Sequence, residues 1–433
     1  KHKREVMTPV SERQEFIFAN GHRIGKLAQD LFPGGTEIEH DPGNYDGMIE
    51  QTRALIDQGA EVIKVEHPAG GDHTREVADR RGGFAAAFLN NNRGKRCVTL
   101  NLKDPRGVEA ALKLCATADV FVQNFRPGVA ERIGLGEAAV RAARPDIVYA
   151  SIAGFGFEGD WAGKPVYDPL IQALSGLASV QGGSDFARPR LIRTILPDKV
   201  TAIQASQAIT AALLARERSG QGTHLHLSML DTVVHFLWSS DMTGYTFVGD
   251  EIIEEDTGKA QSFVELIYQT ADGWMAVSAH TDRTWRGLCN AVNRFDWLED
   301  DRFKTAALRE INKPARLELT QQALLADTTA NWMQRLPAHD VPCAPVLARR
   351  EMYQHPQVQA NGVVIETDHP QAGRLRQARS PARFSTTPLD PPKPGRLLGA
   401  DTQDVLAELG YDAPQIDHLI ADGVATGPQE FSE

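Results

Sequence analysis

The chain has 433 residues, of which 42% are hydrophobic and 24% are charged, and its formal net charge is −11. This length predicts two or three domains with a sizeable core. The acidic balance argues against a general nucleic-acid or membrane-surface binder. A run of about eighteen apolar residues, which a transmembrane helix would need, is absent from the sequence. Four widely separated cysteines predict reduced thiols in a cytoplasmic protein, with no zinc site.

The first 59 residues are polar and mixed, and turn-forming residues cluster at 33–35 and 41–43. Helices are predicted over 11–31 and 44–58. No segment of this region has an apolar pattern strong enough to open a parallel sheet.

From residue 60 onward, short apolar runs alternate with helical periodicity. The pattern predicts strands over 60–66, 97–102, 119–123, 146–151 and 223–227, with helices over 105–116 and 129–133. Such alternation predicts an α/β domain with a largely parallel sheet. Because ligands of these sheets bind beyond the carboxyl ends of the strands, the loops at His67, Asn124 and Gly154 are candidate binding positions.

The later part of the chain has a different pattern. Short strands over 263–269, 274–278 and 363–367, with helices over 283–292 and 314–325, predict a smaller α+β domain. Residues 371–399, rich in Pro, Arg and Gly, predict an extended return segment, followed by helices over 402–409 and 413–422. The predicted organisation is an atypical N-terminal segment (1–58), a large α/β domain (59–245), a small α+β domain (246–370), and a return segment with C-terminal helices packed on the large domain (371–433).

An alanine-rich run from Val200 to Leu214 contains no Gly, Pro or Asp and predicts a buried helix. Its predicted face runs along Ile203, Gln207, Thr210 and Leu214. Asp198 stands just before this run, where an N-cap that accepts the first helix amides is the commoner use of aspartate. The alternative is a nucleophilic carboxylate, and the two uses are compatible because a buried helix start would hold the side chain in one rotamer.

Other clusters of polar or charged residues give weaker indications of function. A basic group indicates either an anionic ligand or a solvated face, with equal weight, and consists of Arg93, Lys95, Arg96, Lys103 and Arg106. Residues 70–72 (Gly-Gly-Asp) read as a plain turn. Asp168 and Asp198 could form an acid/base pair, although their separation in sequence fixes no distance. The thirteen histidines show no metal-ligand spacing, and no serine stands in a nucleophile elbow.

Several stretches, taken in this order, resemble the family III CoA-transferases, which include formyl-CoA, carnitine and bile-acid CoA-transferases. The matching stretches are 59–75 (GAEVIKVEHPAGGDHTR), 89–107 (LNNNRGKRCVTLNLKDPRG), 118–136 (ADVFVQNFRPGVAERIGLG), 144–156 (RPDIVYASIAGFG), 164–231 and 401–411 (DTQDVLAELGY). The resemblance covers about residues 59–430. It implies a Rossmann-like large domain, a small domain and an interlocked, ring-like homodimer.

The resemblance also implies a reaction, in which CoA moves from an acyl-CoA thioester to a carboxylic acid. The thioester is a substrate, and neither a permanently bound cofactor nor a metal is implied. Asp198 matches the family's catalytic aspartate, which forms an acyl anhydride and then an aspartyl-CoA thioester. CoA contacts are implied for His67, Leu100, Lys103, Asn124, Phe125, Arg132 and Lys164. His67 stands where a close relative has arginine, so its phosphate contact would be weaker and pH-dependent.

Two departures from the family pattern matter. The racemase branch, which epimerises 2-methylacyl-CoA thioesters, carries histidine where Tyr167 stands, and tyrosine is a poor base near pH 7. This favours the transferase and leaves the racemase as an alternative. Relatives also open with a strand and turn that nothing in residues 1–58 resembles, so an inactive CoA-binding protein is a second alternative.

Overall fold

A computed structural model of the chain describes residues 15–19, 54–57, 59–76, 80–183, 185–249, 266–386 and 393–429. For residues 15–19, the description covers the backbone alone. The chain divides into two compact units. The large unit comprises residues 1–182, 188–250 and 363–433, and the small unit comprises residues 183–187 and 251–362.

The large unit is built on a six-stranded parallel sheet with strand order β5-β2-β1-β6-β7-β8. The strands are β1 (Glu15–Ala19), β2 (Glu61–Glu66), β3 (Arg80–Arg81), β4 (Phe84–Ala85), β5 (Arg96–Thr99), β6 (Val120–Gln123), β7 (Val148–Ala153) and β8 (His224–Ser228), of which β3 and β4 form a separate two-residue hairpin. Because the six sheet strands are parallel, all of them end at one side, here called the carboxyl edge. The predicted mixed α/β class is confirmed.

Strand β1 lies inside the sheet, between β2 and β6, where Ile17 pairs with both Ile63 and Phe121. The expectation that the N-terminal region supplies no sheet strand is therefore wrong, as is a helix at residues 15–19. The run holds only three β-prone residues, Phe16, Ile17 and Phe18, in an otherwise polar segment, which is too short to show a clear period. The helix predicted over 44–58 and the rest of the one over 11–31 lie largely outside the described residues.

Helices cover both faces of this sheet. Those before residue 240 are α1 (Ala86–Asn92), α2 (Pro105–Thr117), α3 (Val129–Arg132), α4 (Glu137–Ala143), α5 (Asp168–Leu174), α6 (Leu177–Gly182), α7 (Leu196–Ser219) and α8 (Met229–Trp238). The core has two parts, one on each face of the sheet. Side chains along β6 alternate between them, with Phe121 on one face and Val122 on the other. The first face packs against Leu114 of α2, and the second against Ile209 of α7.

Helix α7 buries a different face from the predicted one. Its buried positions include Asp198, Ala202, Ala205 and Ile209. Ile203 and Leu214, on the predicted face, are 67% and 54% exposed in the single chain. Alanine at 202 and 205 permits close packing on the sheet, and Ile209 fills the core further along the helix. The helix is confirmed, but the predicted face is wrong.

The small unit contains a three-stranded antiparallel sheet of β9 (Ile267–Gln269), β10 (Trp274–Val277) and β11 (Cys343–Pro345), with β10 in the middle. Its helices are α9 (Asp282–Ala291), α10 (Asp296–Glu299), α11 (Ala306–Ile311), α12 (Lys313–Leu324), α13 (Thr329–Ala338), α14 (Arg349–Met352) and α15 (Pro356–Asn361). A core of Trp285, Trp297 and Trp332 packs beneath the sheet residue Met275.

After the small unit, the chain returns to the large unit. An antiparallel hairpin of β12 (Val364–His369) and β13 (Gly373–Ala378) leads the return, and β13 lies within the stretch predicted to be extended. The helices α16 (Thr402–Glu408) and α17 (Ala413–Ala421) place Val405 and Leu419 in the core beside Phe121. Across the described ranges, no helix combines the length and apolarity that crossing a membrane requires.

Candidate active site

Asp198 lies inside the first turn of α7, and its side chain is buried with 1% exposure. The helix begins at Leu196, its N-cap position is Ile195, and no side chain caps it. The expectation that Asp198 is the N-cap is therefore wrong. Pro197 is favourable in the first turn because its missing N–H needs no partner there, so the helix starts earlier than the apolar run indicates. A carboxylate in this turn remains stabilised by the helix dipole.

Asp168 lies beside Asp198, although thirty residues separate them in sequence. Its Oδ2 atom accepts a hydrogen bond from the Asp198 backbone N–H at 3.4 Å. This amide belongs to the first turn of α7, where backbone N–H groups have no partner within the helix. Burial raises the pKa of Asp168, against the lowering effect of hydrogen bonds from Gln172 and the Asp198 amide. The structure thus joins the two aspartates of the suggested pair through a backbone amide.

Gln172 completes this arrangement and was not identified from the sequence. Its Nε2 donates to Asp168 Oδ1 at 2.6 Å and lies 3.2 Å from the Thr194 carbonyl oxygen. Its Oε1 accepts the Ile192 backbone N–H at 2.9 Å. The glutamine therefore fixes the loop that enters α7. The sequence feature that could have identified Gln172 is its position one helical turn after Asp168, on the same face of α5.

The aspartate pair is attached to the carboxyl edge of the sheet through Gly154, the residue after β7. A Cβ atom at Gly154 would lie 2.0 Å from Val166 Cγ1, so the Val166 side chain packs in the space that any side chain at 154 would need. Val166 precedes Asp168 by two residues. The Gly154 carbonyl also accepts the Leu230 backbone N–H at 3.0 Å. These contacts position α5 at the end of β7, where ligands of parallel sheets bind.

Several predicted CoA contacts follow strands β2 and β5 at this same edge. His67 is half-buried, and its Nδ1 accepts the Ala69 backbone N–H at 3.1 Å. Leu100 is fully buried in the core, with its amide donating to the Glu66 carbonyl at 2.9 Å. Lys103 is exposed. Because the Leu100 side chain is buried, only backbone atoms of this residue could face a ligand.

The remaining predicted contacts lie after β6 and near α5. Asn124 is half-buried, and Phe125 is buried with 6% exposure. Arg132 is exposed at the last position of α3. Lys164 is exposed, with its Nζ 3.7 Å from the ring centroid of Trp161. Strand order brings the loops after β5, β2, β6 and β7 to one edge. Lys164 lies in the loop between β7 and α5, while Arg132 lies outside these loops, at the end of α3. Their contacts with CoA stay predictions.

Buried charges fix the loop after β2. Arg75 binds both carboxylate oxygens of Glu66 at 2.8 and 2.7 Å and lies 3.8 Å from the Phe88 ring centroid. Lys64 pairs with Asp72, whose Oδ1 accepts the Thr74 backbone N–H at 2.8 Å. Burial acts to raise the pKa of Glu66, but the charges of Arg75 and Lys64 outweigh it and lower the pKa. The interpretation of 70–72 as a structural turn is consistent with this capping role.

The basic cluster is largely paired within the chain. Arg96 binds Glu61 and Glu408, and Arg106 binds Asp104 and Asp422. Arg93 forms an ion pair with Asp57 at 3.0 Å, and Lys95 is buried with its Nζ 3.0 Å from Asn92 Oδ1. The cluster is therefore not one solvated anion-binding face, and its exposed members include Lys103.

A parallel α/β unit with a buried carboxylate at the start of a helix, beside the carboxyl edge of the sheet, defines an enzyme-like site. The model of CoA-transferase family III matches residues 50–402. The chain belongs to this family, and the resemblance read from its motifs is confirmed.

Relatives and solved structures agree with this assignment. Succinyl-CoA:glutarate CoA-transferase of Mus musculus is 32% identical over 377 residues, covering 86% of each chain. Succinate–glutarate CoA-transferase of Agrobacterium fabrum is 33% identical, covering 82% of this chain and 90% of its own. The crystal structure of a CAIB/BAIF family protein from Brucella suis matches with a TM-score of 0.76 and 26% identity, covering 93% of this chain and 99% of its own.

Proposed function

We propose that this protein transfers CoA from an acyl-CoA thioester to a carboxylic acid, with Asp198 as the covalent nucleophile. The observation that carries the proposal is a buried carboxylate in the first turn of α7, at a sheet edge, in a chain of CoA-transferase family III. A carboxylate fixed in one orientation can attack a carbonyl without first losing conformational freedom.

The reaction would begin when an Asp198 oxygen attacks the thioester carbonyl carbon and the carbon–sulfur bond breaks. CoA leaves as thiolate, and Asp198 holds a mixed anhydride. The thiolate then attacks the Asp198 carbonyl carbon, which releases the donor acid as carboxylate and forms an aspartyl-CoA thioester. The acceptor carboxylate repeats these two steps in reverse order, which yields the new acyl-CoA and regenerates the Asp198 carboxylate. Each step exchanges one leaving group for one nucleophile, so no net proton transfer is needed.

Burial supports this chemistry because water would hydrolyse an anhydride. Asp198 and Asp168 are each 1% exposed. The hydrogen bond from the Asp198 amide to Asp168 fixes the backbone of the nucleophile. Neighbouring first-turn amides of α7 point along the helix axis, where they would stabilise negative charge developing on an attacked carbonyl.

CoA would lie along the carboxyl edge. In this proposal, the loops that carry His67, Leu100 and Asn124–Phe125 contact the nucleotide and pantetheine, and Lys103, Arg132 and Lys164 contact phosphates. Rossmann-like binding of this kind uses the ends of parallel strands. The exposed positions of the three cations suit contact with a ligand whose phosphates remain partly solvated.

The names of the relatives support short dicarboxylic acids as substrates. Both transferases described above carry succinate and glutarate in their names. We therefore propose succinyl-CoA as donor and a four- or five-carbon dicarboxylate as acceptor. The racemase alternative is not favoured, since these relatives are transferases and Tyr167 offers no base near pH 7.

We also propose that two copies of the chain form the interlocked homodimer. The outer face of α7 exposes Ile203 and Leu214, and the adjoining α8 exposes Phe236 and Trp238 at 47% and 45%. Apolar side chains grouped on neighbouring helices are typical of a surface that a partner covers. A second copy presents the same surface and satisfies the two-fold symmetry of common dimers.

The decisive test is trapping of the Asp198 adduct. The purified chain is incubated with succinyl-CoA, quenched with hydroxylamine, and digested for mass spectrometry, with Asp198→Asn as the test variant. A mass increase on the peptide containing residue 198 is expected in wild type and absent in the variant, with transfer activity lost. The control Asp231→Asn changes another first-turn aspartate, in α8. It should retain both the mass increase and the transfer activity. Tight CoA binding without any adduct or turnover would favour the inactive CoA-binding alternative.

A further inference from the structure

A hydrogen-bonded chain of side chains crosses the face of the large sheet and ends at the predicted CoA loop. It begins at Glu137 of α4, whose Oε2 lies 2.9 Å from His224 Nδ1. His224 Nε2 lies 2.9 Å from Ser151 Oγ. Gln123 Nε2 donates to the same Oγ at 2.7 Å, and Gln123 Oε1 accepts the Phe125 backbone N–H at 2.7 Å. We name this set of four side chains the relay.

Chemistry fixes the direction of every hydrogen bond in the relay. An ionised Glu137 can only accept, so His224 carries its proton on Nδ1. Neutral His224 then has an acceptor at Nε2, which takes the Ser151 hydroxyl proton. Ser151 accepts from the amide of Gln123, and the carbonyl oxygen of Gln123 remains for Phe125. With neutral His224, each of these four hydrogen bonds therefore joins one donor to one acceptor.

A carboxylate, a histidine and a serine in series resemble the triad of serine hydrolases. The position of Ser151 argues against such a reaction here. Ser151 lies within β7, is 3% exposed, and already accepts a hydrogen bond from Gln123. A substrate carbonyl could not reach it without opening the sheet. The relay is better suited to fixing structure than to attacking a substrate.

We propose that Gln123, Ser151 and His224 are positioning residues that hold the Phe125 amide, and with it the CoA-binding loop, through a relay that requires neutral His224. This inference rests on the proposed function, because it takes Asn124 and Phe125 as CoA contacts. Gln123 is 6% exposed and Phe125 is 6% exposed, so water cannot readily replace the lost partner of either group.

Protonation of His224 would disturb the relay. The imidazolium Nε2 becomes a donor, so the Ser151 hydroxyl proton loses its acceptor inside the sheet. Burial lowers the pKa of His224, and the charges of His226 and Arg141 act in the same direction against Glu137. The neutral form therefore prevails near pH 7, and protonation occurs below the ordinary value of 6.5.

The groups around His224 account for this behaviour. From α4, Glu137 bonds the ring and is itself bound by Arg141 Nε at 2.7 Å. From β8, the His226 ring centroid lies 3.8 Å away, and from β7, the Tyr149 ring meets it edge-on at 4.7 Å. Burial acts to raise the pKa of Glu137, but its hydrogen bonds to Arg141 and His224 lower the pKa, so it stays ionised.

The first test compares CoA binding by wild type, His224→Gln and His226→Gln, using calorimetry from about pH 7.5 down to the lowest pH at which all three chains stay folded. Wild type should lose roughly tenfold in affinity at the lower pH, as expected for one lost hydrogen bond in a buried network. His224→Gln should lack this component, while His226→Gln, which changes an exposed neighbour outside the relay, should keep it. Equal pH dependence in wild type and His224→Gln would overturn the proposal.

A second variant reverses the polarity of the relay. In Gln123→Glu, the carboxylate accepts from both Phe125 and Ser151, so Ser151 must accept from a protonated His224. CoA affinity in this variant should rise as pH falls, opposite to wild type. A decrease like that of wild type would contradict the relay. Gln123→Met removes both hydrogen bonds and should raise KM for acyl-CoA roughly tenfold with little change in kcat.

Amide hydrogen exchange separates this inference from the proposed function. In Gln123→Met without any ligand, the peptide containing Phe125 should exchange faster than in wild type, while peptides of α2 should be unchanged. Unaltered exchange at Phe125 would sink the positioning role even if CoA transfer is demonstrated. Faster exchange in a chain that does not bind CoA would support the relay as a local device and overturn its role in CoA binding together with the proposed function.

Discussion

Asp168 Oδ2 accepts the backbone N–H of Asp198 at 3.4 Å, so one buried carboxylate fixes the helical turn that carries the other. Gln172 occupies the second oxygen of Asp168 and also fixes the backbone that leads into α7. The proposed nucleophile is thereby positioned by two residues of α5.

Replacing Asp168 by Asn should lower kcat roughly tenfold or more. One amide oxygen cannot serve both the Asp198 N–H and Gln172, because the other terminal atom of asparagine is itself a donor. Burial raises the pKa of Asp168 from the ordinary 3.8, so ionisation costs more in the folded chain than in the unfolded chain.

Because the pKa of Asp168 is raised in the folded chain, Asp168→Asn should also change how the stability of the protein depends on pH. The penalty is present above the folded pKa and is lost below the ordinary value, so the Tm of Asp168→Asn relative to wild type should be higher near pH 7 than at low pH. Thermal unfolding across pH measures this, with Asp404→Asn, an exposed first-turn acid of α16, as control. A Tm difference that becomes more favourable to the variant as pH falls would show that the ionised carboxylate stabilises the fold instead.

Adding a methyl group at Gly154 should destabilise the large unit and reduce activity. The new Cβ would lie 2.0 Å from Val166 Cγ1, and such overpacking costs about 1–3 kcal/mol of unfolding free energy. The double variant Gly154→Ala/Val166→Ala should recover much of this loss in denaturant unfolding. Gly163→Ala meets nothing within 4 Å and serves as control. Failure of the second substitution to restore stability would mean that Val166 is not the obstacle.

Lys103 and Arg106 should differ in their effect on CoA binding, although both belong to the basic cluster. Arg106 is engaged by Asp104 and Asp422. Lys103 is exposed in the loop after β5, where the proposed CoA site lies. Lys103→Ala should raise KM for acyl-CoA roughly tenfold, as for loss of a charged phosphate contact, with kcat retained. Arg106→Ala should leave KM near its wild-type value. Equal effects would indicate a general electrostatic contribution.

Charge placed on the outer face of α7 should disrupt the proposed homodimer. Ile203→Glu and Leu214→Glu would bring like charges into an apolar interface and favour the monomer in sedimentation velocity. The control Ile311→Glu alters a residue of the small unit that is 76% exposed. It should leave the molecular mass measured by sedimentation unchanged. Monomeric wild type would refute the dimer directly, and a dimeric Ile203→Glu/Leu214→Glu variant would place its interface elsewhere.

Local patterns in the sequence were sufficient for most of the elements. The run at 61–66 contains three β-branched residues, Val62, Ile63 and Val65. The run at 105–117 begins with Pro105 after the N-cap Asp104, a strong helix start. Strand β1 was missed because its run of β-prone residues, Phe16 to Phe18, is short and lies in an otherwise polar region. The buried face of α7 was also missed, since alanine fits either side of a helix and only the packed sheet selects one.

The sequence by itself determined the alternation of strands and helices, the family motifs and the candidate Asp198, because each depends on residue types at short spacing. Tertiary structure alone decided that Asp168 and Gln172 hold Asp198, that the basic cluster is mostly paired internally, and that a hydrogen-bonded relay reaches Phe125. These relationships join residues tens to hundreds of positions apart. Their geometry depends on which strands become neighbours, and no local spacing in the chain encodes that choice.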